Sequence, residues 1–444
     1  MMRNTILAIL CALIIAYPFS VSLKVLDNVW YKRPYIDEMF WIPVSNIAFQ
    51  NFFITRDFSK ETWDQEYYSW GNYNPTIGKF IMGLFIYWWG DSQWRTFPVK
   101  AGTEELTDKL AFPTAHTFLA ARLPNFILAC LSCGLLFLIV HLCIGLKEGV
   151  LSALLFAYNP IVRFVSHLAV VDFYVMSFGL SSTILFILLI KRMNKKSVPV
   201  ILGVYTPAVG VLAGLCIGSK LIGFLNLLNM VLLLTIAWVF CCSAPWCTRK
   251  LKSMCIADVT TRHQWLLPLL IIVIVAVSLS TFIFSNPFLY RDTIDNVRHM
   301  YSHKSSLEKR YAAESLSFKE KFTLALGKRL LGNEHTLYIK KFHRLSILCN
   351  FLLTMTGLCC LCFLILKNVK SRNYTNATIK LVLLSWCVLY FAGTLWWVPK
   401  DWYRWLMSAI PSIVILESIG IVYSYHYAHN LLLKRSYSIG QEGA

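Results

Sequence analysis

The chain has 444 residues, of which 57% are Ala, Val, Ile, Leu, Met, Phe, Trp, Tyr or Cys and 15% are charged, against roughly 25% charged in soluble domains. That balance excludes a soluble globular protein, and an aromatic content of 15% excludes disorder. A net charge of +19 on so apolar a chain argues against a nucleic-acid partner and for an all-α polytopic membrane protein.

A spanning helix needs about 20 mostly apolar residues to cross roughly 30 Å of hydrocarbon. The first such run, 5–23, follows Arg3. It reads as a span. A cleaved signal peptide is the alternative, opposed by the length of the run and by Tyr17, Pro18 and Phe19 near its end. A long polar segment, 24–121, comes next and opens on Asp37–Glu38 followed by Met39, Phe40 and Trp41. Within it, Gly71–Asn72–Tyr73–Asn74–Pro75–Thr76–Ile77–Gly78–Lys79 leads into an apolar run, Thr76 to Trp89. Its fourteen residues cover only about 21 Å as a helix, so this run is expected to lie along the interface. Pro75 in the first turn, with Gly78 and Lys79 close behind, sets up a helix start whose amide end favours a phosphate.

Nine further runs follow, near 122–144, 150–165, 173–190, 199–218, 223–241, 266–285, 346–366, 381–398 and 405–425, making about ten spans. Arg122 opens the first of these. The second is short and holds Pro160 and Arg163. Asp172 lies between the third and fourth spans and is the only acid between Glu148 and Asp258; an acid at that depth is costly unless it is used. Lys220 ends the Gly-rich stretch 214–220, and Arg404 precedes the last span. Taken alone, Asp37–Glu38 reads as a solvated pair and Arg122 as a snorkelling side chain.

Parity fixes the sides, because short cytoplasmic loops retain Lys and Arg. With the N-terminus inside, the inner connections collect sixteen basic residues and the short outer ones hold Lys220, Lys400 and Arg404. Counting 76–89 as a span would put fifteen of those sixteen outside. Segments 24–121 and 286–345 therefore face outward, and all the charged candidates collect on one side. The chain divides into a membrane module, 1–285, an outer basic loop, 286–345, and C-terminal spans, 346–444. Within that loop, Phe318 to Leu331 reads as a basic amphipathic helix on the outer leaflet. All 14 cysteines fall in spans or inner loops, so no disulfide framework is implied. The sequons at Asn373 and Asn376 fall in an inner loop and are expected to stay unmodified. Asp64–Gln65–Glu66 is a weak metal–nucleotide motif and His299/His303 lack a third ligand, so no metal, nucleotide or other cofactor is expected.

The order of these features resembles the membrane glycosyltransferases of the GT-C superfamily, in the branch of the protein O-mannosyltransferases and aminoarabinose transferases. The matching residues are Asp37 and Glu38 after the first span, Asn74 to Lys79 in place of an H-P-P-L-G-K-like element, Arg122 and Asp172; the stretch ending in Lys220 and Asn286–Pro287–Phe288–Leu289–Tyr290 are also similar. Asn74 and Thr76 depart from the family's His and second Pro. The resemblance implies a GT-C fold with a long first outer loop carrying juxtamembrane helices. It also implies a polyprenyl-phosphate-linked sugar donor and a hydroxyl acceptor of protein, lipid or glycan class.

On that reading Asp37 is the general base, and Asp172 or Glu38 orients the acceptor or stabilises the anomeric carbon. Lys79, Arg122, Lys220 and Arg404 hold the donor phosphate, and direct displacement inverts the sugar. A bacterial inner membrane with the site outside is favoured over the endoplasmic reticulum with a luminal site. Two other readings stay open: a lipid or glycan transporter, which would show repeats or broken helices at mid-depth, and a non-catalytic lipid- or partner-binding protein.

Overall fold

In the computed structural model the described residues are 38–63, 75–92, 113–193, 198–242, 265–312, 317–327, 339–397 and 403–442, and every regular element among them is helical. The run 5–23 lies outside the described residues. Three helices precede the first crossing: α1, Glu38–Phe49, continued by the π-helical turn Gln50–Ile54; α2, Lys60–Trp63; and α3, Ile77–Trp89. The bundle then comprises α4 (Ala115–Cys143), α5 (Leu146–Ala157), α6 (Pro160–Ser166), α7 (Asp172–Met193), α8 (Thr206–Ser219), α9 (Phe224–Cys242) and α10 (Leu266–Phe284). After α11 (Thr293–Ala312) and α12 (Phe318–Gly327) it closes with α13 (Ile339–Lys370), α14 (Tyr374–Trp397) and α15 (Ile410–Glu442).

Apolar runs become helices here because a backbone in hydrocarbon must satisfy its own hydrogen bonds. Among the described residues eight helices are long and apolar enough to cross, and α5 and α6, bent by 61°, form a broken span or a re-entrant loop. The bend has a local cause. Pro160 cannot donate to the last turn of α5, and the Asn159 side chain instead accepts from the Ile161 and Val162 amides at 2.9 and 3.3 Å, starting a new helix.

One continuous apolar core joins α4 to α10 with α13, α14 and α15. Polar ties cross it. Asn226 on α9 accepts from Thr183 Oγ1 at 2.9 Å and Trp386 Nε1 at 3.1 Å and donates to Ser182 Oγ, locking α9 to α7 and α14. Such bonds hold membrane helices where apolar burial gives no drive.

The juxtamembrane layer covers one end of this bundle. The thirteen residues of α3 reach about 20 Å, too short to cross, and end in exposed Tyr87, Trp88 and Trp89, the side chains favoured at a membrane–water interface. Gly83 lets α1 cross α3 closely, since a Cβ there would stand 2.2 Å from the Ser45 carbonyl oxygen. Ile42 of α1, Met82 and Ile86 of α3, Phe118 and Ala121 of α4, and Ala169 share one buried cluster. That cluster fastens the layer to the N-termini of α4 and α7.

Candidate functional site

The polar first turns of α4 carry the chain past its apolar run, with Thr114 Oγ1 accepting from the Thr117 amide at 3.2 Å. That places Arg122 opposite the start of α1. Its Nε donates to Glu38 Oε1 at 2.7 Å and a terminal nitrogen donates to Oε2 at 2.6 Å, with the side chains 2% and 0% exposed. This bidentate pair is the strong form of a charge-assisted hydrogen bond. Glu38 Oε1 also accepts from the Ala169 amide at 2.8 Å. One turn along α4, Asn125 Nδ2 donates to the carbonyls of Val165 and Leu168 at 2.8 and 2.9 Å. The segment 165–169 between α6 and α7 is thus gripped by both α1 and α4.

That grip sets Asp172 at the start of α7. Asp172 is buried, and its Oδ1 accepts from Lys220 Nζ at 2.7 Å. Lys220 lies just past the C-terminus of α8. The first turn of α3 packs into the same corner. A Cβ on Gly78 would stand 2.4 Å from Val171 Cγ1, and one on Gly218 would stand 3.0 Å from Ile77 Cγ1. A side chain at Gly78 would force Val171 to move, and one at Gly218 would press on Ile77 and the Ser285 hydroxyl. Lys79, the residue after Gly78, is carried by this packing to the corner where α7 begins. It is 2% exposed, and burial pulls its ammonium down to about 7.

Thr76 fixes the entry to α3. Its amide donates to Asn286 Oδ1 at 2.9 Å and its hydroxyl donates to the Ser285 carbonyl oxygen, while Asn286 Nδ2 holds the Phe282 carbonyl at 2.5 Å. Thr76, which departs from the pattern of the resembled family, is therefore joined to the Asn286–Pro287 element at the end of α10.

Among the residues singled out from sequence, Glu38, Arg122, Asp172, Lys220 and Lys79 come together at one end of the bundle. Asp37 and Asn74 lie outside the described residues. Arg404 lies in the 3₁₀ turn Tyr403–Ala409 that leads into α15, and its side chain is outside the described set. Sequence reasoning missed Asn125, Ala169 and the Ser285–Asn286 partner of Thr76. Asn125 carried a signal, an amide inside an apolar span; Ala169 acts through its backbone and carried none.

No protein-family model matches the chain, and no curated protein matches it. Solved structures do. The archaeal oligosaccharyltransferase AglB from Archaeoglobus fulgidus, in complex with an inhibitory peptide and a dolichol-phosphate, aligns with TM-score 0.51 and 13% identity over 96% of this chain and 52% of its own. ArnT from Cupriavidus metallidurans in the apo state aligns with TM-score 0.51 and 13% identity over 94% of this chain and 60% of its own. The chain thus spans just over half the length of these proteins. Both are GT-C superfamily members, and the fold of this chain is the GT-C fold, as an integral multi-pass membrane protein.

Proposed function

We propose that the chain is a membrane glycosyltransferase that moves a sugar from a polyprenyl-phosphate-linked donor to a hydroxyl acceptor on the non-cytoplasmic face. Lys79 is the observation that carries this reading. It is buried on a short apolar helix suited to the membrane interface, and its neighbour Gly78 packs on Val171, the residue before Asp172 of the Asp172–Lys220 pair. A phosphate on a lipid is an anion that arrives at that depth. AglB, which shares the fold, is solved with a dolichol-phosphate.

In the proposed reaction Asp37 takes the proton of the acceptor hydroxyl as its oxygen attacks the anomeric carbon. The bond from that carbon to the phosphate oxygen breaks on the opposite face, inverting the sugar, and the charge on the departing polyprenyl phosphate is held by Lys79 and Lys220, with Arg404 at the approach. Asp172 orients Lys220 and meets positive charge developing on the sugar. Glu38 and Arg122 spend their charges on one another, so we give them a positioning role: they hold 165–169 and, through it, Asp172. The non-cytoplasmic side rests on the sixteen basic residues at the other end of the spans.

The test is binding of polyprenyl phosphate to the purified chain. Loss of a hydrogen bond to a charged group is worth about 1.5–3 kcal/mol, roughly 10- to 150-fold in affinity. Lys79→Ala is expected to weaken binding on that scale, with partial recovery in Lys79→Arg. Equal affinities would remove Lys79 from the site.

A further inference from the structure

Beside the charged corner, and used by none of the steps above, lies a groove between the turn that carries α2 and the segment leaving α10. Phe58, Ser59, Trp63, Arg291, Asp292 and Asn296 are among the residues that line this shallow, open groove. The segment on one side begins at Asn286, the residue that holds Thr76 at the entry to α3. The groove therefore adjoins the start of the Lys79-bearing helix.

We infer that this groove is the acceptor subsite and that it binds a carbohydrate ring, which makes the hydroxyl acceptor a glycan or glycolipid. The acceptor role rests on the glycosyltransferase reading; carbohydrate binding by the groove does not.

The chemistry of the walls carries the inference. Phe58 is 41% exposed, and its ring centroid lies 5.9 Å from that of Tyr290 at 40°. Such rings offer an apolar face to the C–H side of a pyranose. Arg291 and Asp292 are exposed, and among the described residues no hydrogen bond or ion pair engages either side chain. Next to one another they supply a donor fork and a charged acceptor, which together match neighbouring sugar hydroxyls that both donate and accept. Asn296 spends its two amide hydrogens on the carbonyls of Phe288 at 2.7 Å and Arg291 at 2.6 Å. Its carbonyl oxygen keeps its accepting capacity.

Both walls are pre-organised. Asp57 accepts from the Ser59 amide at 2.9 Å and from Thr62 Oγ1 at 2.5 Å, and its own carbonyl accepts from Trp63 Nε1 at 2.8 Å. The Thr62 hydroxyl first, and then Ser59, hold the Asp57 carboxyl below the usual carboxylate range. On the other side Asp292 adopts φ 53°, pinned by the Asn296 amide on its carbonyl at 2.9 Å. A site fixed in this way loses little entropy on binding.

A sugar lying on the aromatic wall fits better than a peptide. Extended peptides need unpaired main-chain groups to bind, whereas here the Trp63, Leu289, Tyr290 and Asn296 amides and the Ser59, Asn286, Pro287 and Asp292 carbonyls are already bonded to one another.

The experiment uses the full chain in nanodiscs and saturation-transfer NMR with methyl pyranosides of mannose, glucose and galactose, beside a Ser/Thr hexapeptide. At least one methyl pyranoside is expected to bind wild type. Asp292→Asn, which suits the left-handed backbone as well as Asp does, should weaken it about tenfold or more. Phe58→Leu should weaken it about three- to tenfold. Polyprenyl phosphate affinity should stay at the wild-type value in both variants, which also shows that they are folded. The inference is overturned if no pyranoside binds, if both variants bind it as wild type does, or if the peptide binds in place of the sugar. Groove-dependent sugar binding in a chain that binds no polyprenyl phosphate would remove the glycosyltransferase reading and leave the sugar site standing.

Discussion

Glu38→Gln changes one oxygen for an NH₂ in a carboxylate that accepts from Arg122 Nε, an Arg122 terminal nitrogen and the Ala169 amide. The Arg122 guanidinium loses one of its two acceptors, at 2.7 and 2.6 Å, and keeps a full charge at 2% exposure. Breaking a buried pair by removing one partner costs about 3–5 kcal/mol because the other charge is stranded. No discount for solvent screening applies at this burial. Arg122→Leu strands Glu38 in the same way. The double variant Glu38→Leu/Arg122→Leu leaves neither charge of the pair facing the other's absence; among its losses are the bond to the Ala169 amide, at 2.8 Å, worth about 1–3 kcal/mol if left unmet, and the contact of Arg122 with the Phe118 ring. Thermal midpoints followed by tryptophan fluorescence in one detergent test the ordering: both single variants fall well below wild type, and the double variant lies above either. Turnover should drop in the singles, since the grip on 165–169 also places Asp172. Silent single variants, or a double variant as low as the sum of the singles, would show that the pair does not hold this corner.

Donor binding should depend on pH through Lys79, which burial holds at about 7 in the free protein. An anionic ligand raises that value, so binding takes up a proton, affinity is full below pH 7, and it falls by up to about tenfold per pH unit above it; Lys79→Arg, charged throughout, should flatten the profile between pH 7 and 9. Gly83→Leu should force α1 off α3, because its Cβ would meet the Ser45 carbonyl oxygen at 2.2 Å and Phe49 Cβ at 2.4 Å; overpacking of this kind costs about 1–3 kcal/mol, read as a lower thermal midpoint. For sidedness, Cys247 and Cys255 in intact cells should resist an impermeant thiol reagent, and strong labelling would invert the topology and the site with it.

How far the sequence foretold this arrangement follows from which forces act along the chain and which act across it. Spans are set by a length of apolar residues, a property of one segment, and eight of the runs correspond to described helices long and apolar enough to cross, while the run at 150–165 is the bent pair α5 and α6. The run at 76–89, too short to cross and kept out of the span count by charge parity, is the 13-residue α3. Boundaries were less legible. Helices α4, α13 and α15 begin or end well outside the apolar runs because caps and amphipathic turns continue them into polar sequence. Partnerships were not legible at all. Arg122 and Glu38 are 84 positions apart and Lys220 and Asp172 are 48 apart, so each charge could be read as free for a phosphate until the helices docked. Thr76 read only as a departure, because its partners Ser285 and Asn286 lie more than 200 positions away.

The most direct measurement is turnover itself. The purified chain in nanodiscs, given polyprenyl-phosphate-linked sugars and an extract of membrane and cell-surface acceptors, is followed by mass spectrometry for polyprenyl phosphate released and sugar transferred with inverted configuration, with Asp37→Asn measured alongside. Expected is release by wild type and a fall of about 10² or more in the variant, the scale of a lost general base, with polyprenyl phosphate binding retained. Wild type that binds the lipid phosphate but transfers no sugar from any donor, or a variant that turns over as wild type does, would contradict it.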